Sequence, residues 1–341
     1  MTEPSGSVLS IGGDSQGCPL RGQSPIPDHG VYNAAQKVIV SGHDKMKPSS
    51  TCSKHLQPMI PSKARMAYLC SRLFYQLVPA RGRSIINARL GSRRPFFCPV
   101  CEDPVSGFAP LPHFYSQQLK QHGSDLRLEN CETCNFKAYQ CAHCGASDRD
   151  RFYALFLAGR LPSNDAQQTA FSLLDIAPSG PLSRHITRKY GIHYRTADLF
   201  LKNVDDRVDI TAMTCYANDS FDAFICSHVL EHVPDDRKAL GELWRILKPG
   251  GWGIAMVPID ISLPEIREDP ACDNPALRWK HFGQGDHVRL YSRQGFIQRL
   301  QQAGFRVNEL GQEQFRAEAM TRCGVAPSSI LYVVEKSLPI P

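Results

Sequence analysis

At 341 residues, the chain is long enough for one full-sized domain and a smaller module. Its composition, 42% hydrophobic and 21% charged, is that of an ordinary globular protein. No stretch approaches the roughly 18 consecutive apolar residues that a membrane span requires. The first residues have neither the basic start nor the apolar core of a secretory signal. We therefore expect no membrane span and a cytoplasmic location.

The net charge of +6 is concentrated near the N-terminus. Between Asp44 and Glu102 there are eleven basic residues and no acidic one, whereas the rest of the chain has 28 basic and 33 acidic residues. Residues 1–62 are rich in Ser, Gly and Pro, which predicts a disordered leader. Residues 63–95 have apolar side chains at helical spacing up to Pro79, which predicts a basic amphipathic helix and a linker. An acidic partner such as RNA would explain the charge, and so would a solvated leader.

Three C-x-x-C pairs lie between residues 96 and 146, namely Cys98/Cys101, Cys131/Cys134 and Cys141/Cys144. In a reducing compartment such pairs indicate metal ligands before disulfides. A zinc ion bound by four thiolates takes two ligands from each of two turns. The third pair is followed by Gly145, which permits the left-handed backbone typical after such a turn. We therefore predict a zinc-binding module over residues 96–146, with Cys98, Cys101, Cys141 and Cys144 as ligands.

The sequence leaves two alternatives to this zinc site open. Ligation by the first and second pairs would close a loop of 29 residues, whereas the preferred set brackets 39 residues, which is acceptable if that segment contains its own hairpin. A redox role is the other alternative, although the strand-to-helix context of such a motif is missing. A zinc site closed by four protein ligands would stabilise the fold and would not take part in catalysis.

After a predicted helix N-cap at Ser147, strands and helices alternate, which is typical of a parallel sheet covered by helices. The predicted strands are 171–175, 193–198, one that ends near Asp209, 221–226, 251–258, 305–310 and 330–336. The predicted helices are 182–189, 235–247 and 292–303, with residues 248–251 (KPGG) as a helix stop. The pattern predicts an α/β domain over residues 147–341.

Polar residues follow the first four predicted strands: Asp175, Asp198, Asp209 and the pair Ser227-His228. An open parallel sheet binds its ligand outside the carboxyl ends of the strands, where the strand order reverses. Asp198 follows Asp175 by 23 positions, a spacing that suits an acidic side chain accepting hydrogen bonds from a ribose.

The segment SFDAFICSHVLEHVPDDRKALGELWRILKPGG and the later HVRLYSRQGFIQRLQQAGF resemble the class I S-adenosylmethionine (SAM)-dependent methyltransferases of the type-11 kind. The resemblance covers residues 171–336 and implies a Rossmann-like seven-stranded sheet with an antiparallel last strand. It also implies SAM as cofactor, with its methionine part near Asp175, its ribose at Asp198 and its adenine near Asp209. The cofactor-binding residues predicted in this way are Asp175, Ile176, Ala177, Pro178, Asp198, Leu199, Asp209, Ile210, Ser227 and His228.

The turn after the first strand departs from the pattern of this family. The family has acidic-x-Gly-x-Gly-x-Gly there, whereas Ala177, Ser179 and Pro181 occupy the three glycine positions and Gly180 is displaced by one step. Glycine allows a tight turn and a close approach of the backbone to the ligand. The substitutions therefore predict a weaker affinity for the cofactor.

Methyl transfer from a sulfonium requires mainly the alignment of the acceptor, and it requires a base only if the acceptor loses a proton. The candidate bases, which lie at the strand ends and in the insertion 259–290, are His228, His232, Glu265, Asp269, His281, Asp286 and His287. The sequence does not single out one base, and His228 and His287 are the candidates that we retain.

The fourth strand does not end in Asn-Pro-Pro-Tyr or Pro-Cys, which argues against amino methylation of adenine or glutamine and against C5 methylation of pyrimidines. The sequence therefore predicts transfer to an oxygen or nitrogen of a small molecule or saccharide. Two alternatives remain. One is an RNA methyltransferase whose zinc module and leader bind phosphates, and the other is a non-catalytic binding protein of the same fold. The sequence gives no indication of the oligomeric state.

Overall fold

The computed structural model describes residues 95–162 and 170–338. The predicted leader and basic helix therefore lie outside the described residues, except for Pro95. Eleven strands are described: β1 Phe96–Cys98, β2 Asp103–Val105, β3 Ser172–Ile176, β4 His193–Asp198, β5 Asp206–Arg207, β6 Phe221–Ser227, β7 Leu247–Met256, β8 Arg267–Glu268, β9 Arg289–Leu290, β10 Arg306–Leu310 and β11 Leu331–Glu335. Seven of them form the central sheet, in the order β10-β11-β7-β6-β3-β4-β5.

The helices of the described ranges are α1 His113–Gln121, α2 Asp148–Leu157, α3 Gly180–Lys189, α4 Asp236–Ile246, α5 Pro275–Phe282, α6 Arg293–Gln302, α7 Gln312–Phe315 and α8 Ala317–Arg322. Short 3-10 helices span Leu128–Asn130 and Leu230–His232. Within these ranges, no helix has the length and apolar character needed to cross a membrane.

The sheet confirms the predicted α/β fold. Strands β3 to β7 of the sheet are parallel, and β11 is antiparallel to both β7 and β10. The central strands are buried along most of their length, because helices cover both faces of the sheet and apolar side chains are needed on each. Starting from β3, the chain adds β4 and β5 on one side and β6 and β7 on the other. The strand order therefore reverses between β3 and β6.

The helix before residues 248–251 ends at Ile246, as the predicted stop requires, but one strand boundary differs from the prediction. The strand was predicted to begin at residue 251, whereas β7 begins at Leu247 and includes residues 248–251. The strand is irregular here, because Phe221 pairs with Leu247 while Ala223 already pairs with Trp252. Gly250 takes a φ of +78° and donates its N–H to the Lys336 carbonyl at 2.8 Å. Hydrogen bonding to the end of β11 thus continues the strand through a sequence that would otherwise stop a helix.

The cysteine module (residues 96–146) packs against the α/β domain. The 39-residue segment between the two ligand pairs contains β2, which pairs with β1 in a short hairpin around the first cysteine pair, and it also contains α1. Leu119 of α1 and Leu126 form a small core with Phe282 and Leu290 of the 259–290 insertion. The module and the insertion therefore meet above the carboxyl ends of the strands.

Arg151 of α2 connects the module to the C-terminal part of the chain. Its side chain is completely buried and donates five hydrogen bonds to backbone carbonyls. Those carbonyls are Ala138, Tyr139 and Ala146 in the module and Cys323 and Gly324 after α8. The guanidinium also lies 3.9 Å from the ring centre of Phe108.

Replacement of Arg151 by Ala should therefore lower the free energy of unfolding by about 3 kcal/mol or more, because several buried carbonyls lose their donor. Urea denaturation followed by circular dichroism measures the change. Arg149→Ala is the matched control, since Arg149 lies on the same helix but lines a cavity, and we expect it to cost less than about 1 kcal/mol. Equal losses in the two variants would contradict this assignment.

Candidate active site

A cavity of about 510 Å³ opens at the carboxyl ends of β3, β4 and β6, where the strand order reverses. Nine of the ten predicted cofactor-binding residues line it. The tenth, Pro178, does not line it, although its neighbours Ala177 and Ser179 in the same turn do. Both retained base candidates, His228 and His287, also line the cavity.

The turn after β3 keeps a left-handed residue even though it lacks glycine there. Ala177 has a φ of +55°, and its N–H donates to the carbonyl of Ala197 at 2.9 Å. For a residue with a Cβ, this conformation costs about 1–2 kcal/mol. Ser179 takes an ordinary φ of −76° as the residue before α3, and Pro181 fits the first turn of that helix. The backbone strain is therefore concentrated at Ala177.

Asp175 is the last polar residue of β3 before the cavity. Burial raises the pKa of its carboxyl to about 7, although a hydrogen bond from the Tyr194 hydroxyl, 2.6 Å from Oδ2, opposes the increase. The carboxyl of Asp175 thus exchanges its proton near neutral pH.

Asp198 and Asp209 each stabilise the loop that follows their strand. One carboxylate oxygen of Asp198, Oδ1, accepts the N–H groups of Phe200 and Leu201 at 2.6 and 2.7 Å. Oδ1 of Asp209 accepts both the N–H and the hydroxyl of Thr211 at 2.8 Å. Both side chains therefore hold a local turn at the edge of the cavity.

Two polar side chains mark the end of β6. The Ser227 Oγ and the Tyr153 hydroxyl of α2 share a hydrogen bond of 2.6 Å. His228 takes a φ of +56°. Burial lowers the pKa of His228 to about 4, so its imidazole is neutral at pH 7.

A cluster of Glu231, His232 and His287 lies beside His228. One ligand atom from each member falls within 4.8 Å of the others. Burial lowers the pKa of His287 to about 4. Burial would raise the pKa of Glu231, but attraction to His228 beside it lowers the pKa below the ordinary value. Glu231 was not among the predicted site residues, although its position beside His232 in the segment HVLEHV was a signal.

Other candidate bases lie elsewhere. Asp286 does not line the cavity, and its Oδ2 is 3.5 Å from His232 Nδ1. His281 is on α5, where its Nδ1 is 3.3 Å from Asp125 Oδ2. Glu265 and Asp269 do not line the cavity either.

The cysteine module provides the opposite wall of the cavity, which the sequence did not predict. The module residues that line it are Leu111, Tyr115, Leu126, Leu128, Cys131, Thr133, Cys134 and Tyr139. Burial raises the pKa of Cys131 to about 12 and also raises that of Cys134. These two cysteines are thus neutral thiols in a largely apolar wall. Arg149 of α2 lines the cavity between this wall and the sheet.

The four sulfur atoms of Cys98, Cys101, Cys141 and Cys144 lie within 4.8 Å of one another. Cys98 Sγ and Cys144 Sγ are 3.7 Å apart. This distance fits the edge of a tetrahedron, about 3.8 Å, whose corners are about 2.3 Å from a central zinc ion. The cluster thus comprises the predicted set and does not include Cys131.

The family model described as a methyltransferase domain matches residues 146–310, which include β3 to β9 and the cavity residues of the sheet. The chain thus contains a SAM-dependent methyltransferase domain over residues 146–310. Its seven strands, with the antiparallel β11 inserted between β7 and β10, agree with this family. No curated protein matches the sequence.

Solved structures with a similar fold are distant from this methyltransferase. A complex between the Haloferax volcanii Trm112 methyltransferase activator and a methyltransferase has 17% identity and a TM-score of 0.37, covering 56% of this chain and 91% of the other. The SAM complex of Haemonchus contortus phosphoethanolamine N-methyltransferase 2 has 15% identity and a TM-score of 0.35. The match covers 56% of this chain and 52% of that enzyme, so that the chain spans about half of its length. A Galdieria sulphuraria protein described as a sarcosine dimethylglycine methyltransferase has 16% identity and a TM-score of 0.34, covering 55% and 83%. These likenesses carry no information about the acceptor.

Replacement of Ala177 by Gly should stabilise the methyltransferase by about 0.5–1 kcal/mol, because relief of the left-handed strain exceeds the entropic cost of glycine. Chemical denaturation measures the difference. In contrast, Ala239→Gly in the regular helix α4 should lower the free energy of unfolding by at least about 0.5 kcal/mol. A loss of stability in Ala177→Gly as large as that of this control would refute the strain at the turn.

Proposed function

We propose that the chain transfers the methyl group of SAM to an oxygen or nitrogen atom of a small molecule or saccharide. The observation that carries this proposal is the enclosure of the cavity by the cysteine module. Tyr115, Leu128 and Cys131 of the module lie across the cavity from the strand ends that carry Asp175 and Ser227.

The size and walls of the cavity favour a compact acceptor. Its volume of about 510 Å³ lies within the range of about 300–1,000 Å³ that is typical of small-molecule sites. A polynucleotide requires a groove with basic side chains along its phosphates. Here Arg149 is the one Arg or Lys residue among the cavity-lining residues in the described ranges.

Individual residues have distinct roles in the proposed complex. SAM, when bound, supplies an electrophilic methyl group on a sulfonium. We assign the amino group of its methionine part to Asp175 and the carboxylate to Arg149, because each has the opposite charge. The ribose is assigned to Asp198, whose Oδ1 is occupied by the turn, and Leu199 and Ile210 provide an apolar site for the adenine.

His228 is the proposed proton acceptor for an acceptor that carries a hydroxyl group. Its Nε2 is buried and has no hydrogen-bond partner among the described residues, and the residue lines the cavity beside Ser227. In the proposed step the hydroxyl proton moves to Nε2, the oxygen–carbon bond forms, and the sulfur–carbon bond breaks to leave a neutral thioether. His287 is the other retained candidate: its Nδ1 donates to the carbonyl of Phe282 at 3.2 Å, which leaves Nε2 as the nitrogen with the lone pair.

For the cysteine cluster we propose a structural zinc ion. Four protein ligands close such a site and leave no position for a substrate. The short hairpin β1–β2 and the turn at Gly145 bring the two ligand pairs together. We also propose a reducing, cytoplasmic location, because zinc thiolates require reduced cysteines and none of the ten cysteines in the described ranges forms a disulfide.

SAM binding tests the cofactor assignment directly. We expect Asp198→Ala to weaken SAM binding at least tenfold in isothermal titration calorimetry, because a hydrogen-bonded ribose would lose its acceptor. Asp205→Ala is the matched control. Asp205 lies in the same β4–β5 connection and accepts hydrogen bonds from the N–H and the hydroxyl of Thr196, but it does not line the cavity. Equal affinity of wild type and Asp198→Ala would contradict the assignment.

The acceptor class is tested by measuring S-adenosylhomocysteine release with small-molecule and saccharide pools and, separately, with RNA. Turnover with the small-molecule or saccharide pool supports the proposal. Turnover with RNA alone would overturn it.

Loss of a zinc ligand should reduce both metal content and stability. We expect one zinc ion per wild-type chain by elemental analysis after gel filtration, and we expect Cys141→Ser to lose it and to unfold at a lower temperature. Cys131→Ser is the matched control, because Cys131 belongs to another C-x-x-C pair of the same module and lines the cavity. Loss of zinc in Cys131→Ser, or its retention in Cys141→Ser, would refute the ligand set.

A further inference from the structure

Two imidazoles and one carboxylate meet at the edge of the cavity, away from the cysteine cluster. Glu231, His232 and His287 each offer one ligand atom, and these atoms lie within 4.8 Å of one another. His232 Nε2 is 3.9 Å from Glu231 Oε1. The rings of the two histidines are nearly perpendicular, with centres 4.7 Å apart. All three residues line the cavity.

Two segments of the chain hold this cluster in place. Glu231 and His232 belong to the 3-10 helix after β6, and His287 comes from the insertion shortly before β9. The N–H of Val288 donates to the carbonyl of Glu231 at 2.9 Å. Arg289, which is almost completely buried, donates to the carbonyls of Leu230 and Pro234 at 2.6 and 2.8 Å, among others. The relative position of the three side chains is therefore fixed by backbone contacts.

Backbone carbonyls orient both imidazoles. His232 Nδ1 lies 3.3 Å from the carbonyl oxygen of Asp286, and His287 Nδ1 lies 3.2 Å from that of Phe282. Since a carbonyl can only accept, Nδ1 carries the proton in each ring and Nε2 carries the lone pair. Histidines that bind metals are held in the same way, with the second ring nitrogen donating to a carbonyl or carboxylate.

The groups nearest the buried carboxylate of Glu231 are the imidazoles of His228 and His232. The residue is completely buried, and neither oxygen has a partner with hydrogen-bond geometry among the described residues. His228 Nδ1 approaches Oε1 to 3.2 Å without that geometry. A buried carboxylate without hydrogen bonds is unfavourable unless a cation compensates its charge.

We propose that Glu231, His232 and His287 bind a divalent first-row transition-metal cation. A site of two imidazoles and one carboxylate suits Mn²⁺, Fe²⁺, Co²⁺ or Zn²⁺ and leaves coordination positions open on the cavity side. Those positions would take the hydroxyl oxygen of the methyl acceptor, a role that rests on the proposed function. The site thus selects acceptors that carry an oxygen ligand for a metal.

Titration of the full-length chain with Mn²⁺, followed by electron paramagnetic resonance of the unbound ion, tests this site. Mn²⁺ is the probe because it prefers oxygen and nitrogen ligands and competes poorly for four thiolates. We expect one bound Mn²⁺ per chain, and we expect the affinity to fall at least tenfold in Glu231→Gln and in His287→Gln.

His281→Gln is the matched control and should bind Mn²⁺ like the wild type. His281 precedes His287 by six residues in the same insertion, but it is paired with Asp125 and does not line the cavity. The thermal midpoint and the heat of SAM binding in Glu231→Gln show whether that variant is still folded. If it is unfolded, His287→Gln provides the comparison.

The proposal is overturned if the wild type binds neither Mn²⁺ nor Co²⁺ outside the cysteine cluster, or if both variants bind Mn²⁺ as tightly as the wild type. These outcomes are distinct from a failure of the proposed function. Absence of metal binding together with SAM-dependent turnover refutes only the metal site. Metal binding in a chain that does not bind SAM refutes the methyl-transfer role and leaves the site intact.

Discussion

The buried guanidinium of Arg151 is the interaction on which the geometry of the cavity depends. It joins backbone carbonyls of the cysteine module to those that follow α8, and it does so from the helix that carries Arg149 into the cavity. The positive charge of the guanidinium is compensated by neutral backbone carbonyls, whose dipoles are held in fixed directions. The position of the module, and with it the wall formed by Tyr115 and Cys131, follows from this contact.

The sheet was predictable from the sequence because local patterns determine its strands. Runs such as FSLLD and FDAFIC are short and apolar and end in a polar residue, and β4 has the predicted bounds. The start of β7 at Leu247 was not predictable, because the strand conformation of residues 248–251 depends on hydrogen bonds to Lys336, which is distant in the sequence. The wall formed by the module was not predictable for the same reason, since no local pattern indicates which surface α1 will cover.

The residues of the candidate site were partly predictable. Asp175 and Asp198 were identified because parallel strands bring their carboxyl ends to one edge. Glu231 was missed because a single acidic residue in a helical turn has no periodic signal, and its burial results from the insertion packing over it. The left-handed backbone conformations of Ala177 and His228 were also not predictable from the sequence. Strain of this kind persists only where the surrounding structure fixes it, and here both positions border the cavity.

The two side-chain clusters that we propose as metal sites differ in their ligand atoms and in their position relative to the cavity. The cysteine cluster offers four soft sulfur ligands and is separated from the cavity, whereas the group at Glu231 offers nitrogen and oxygen ligands and lines it. Cys131 and Cys134 line the cavity but belong to neither cluster. The two proposed sites therefore favour different ions: a soft ion at the cysteine cluster, where it would stabilise the wall, and a harder ion at the cavity, where an acceptor would reach it.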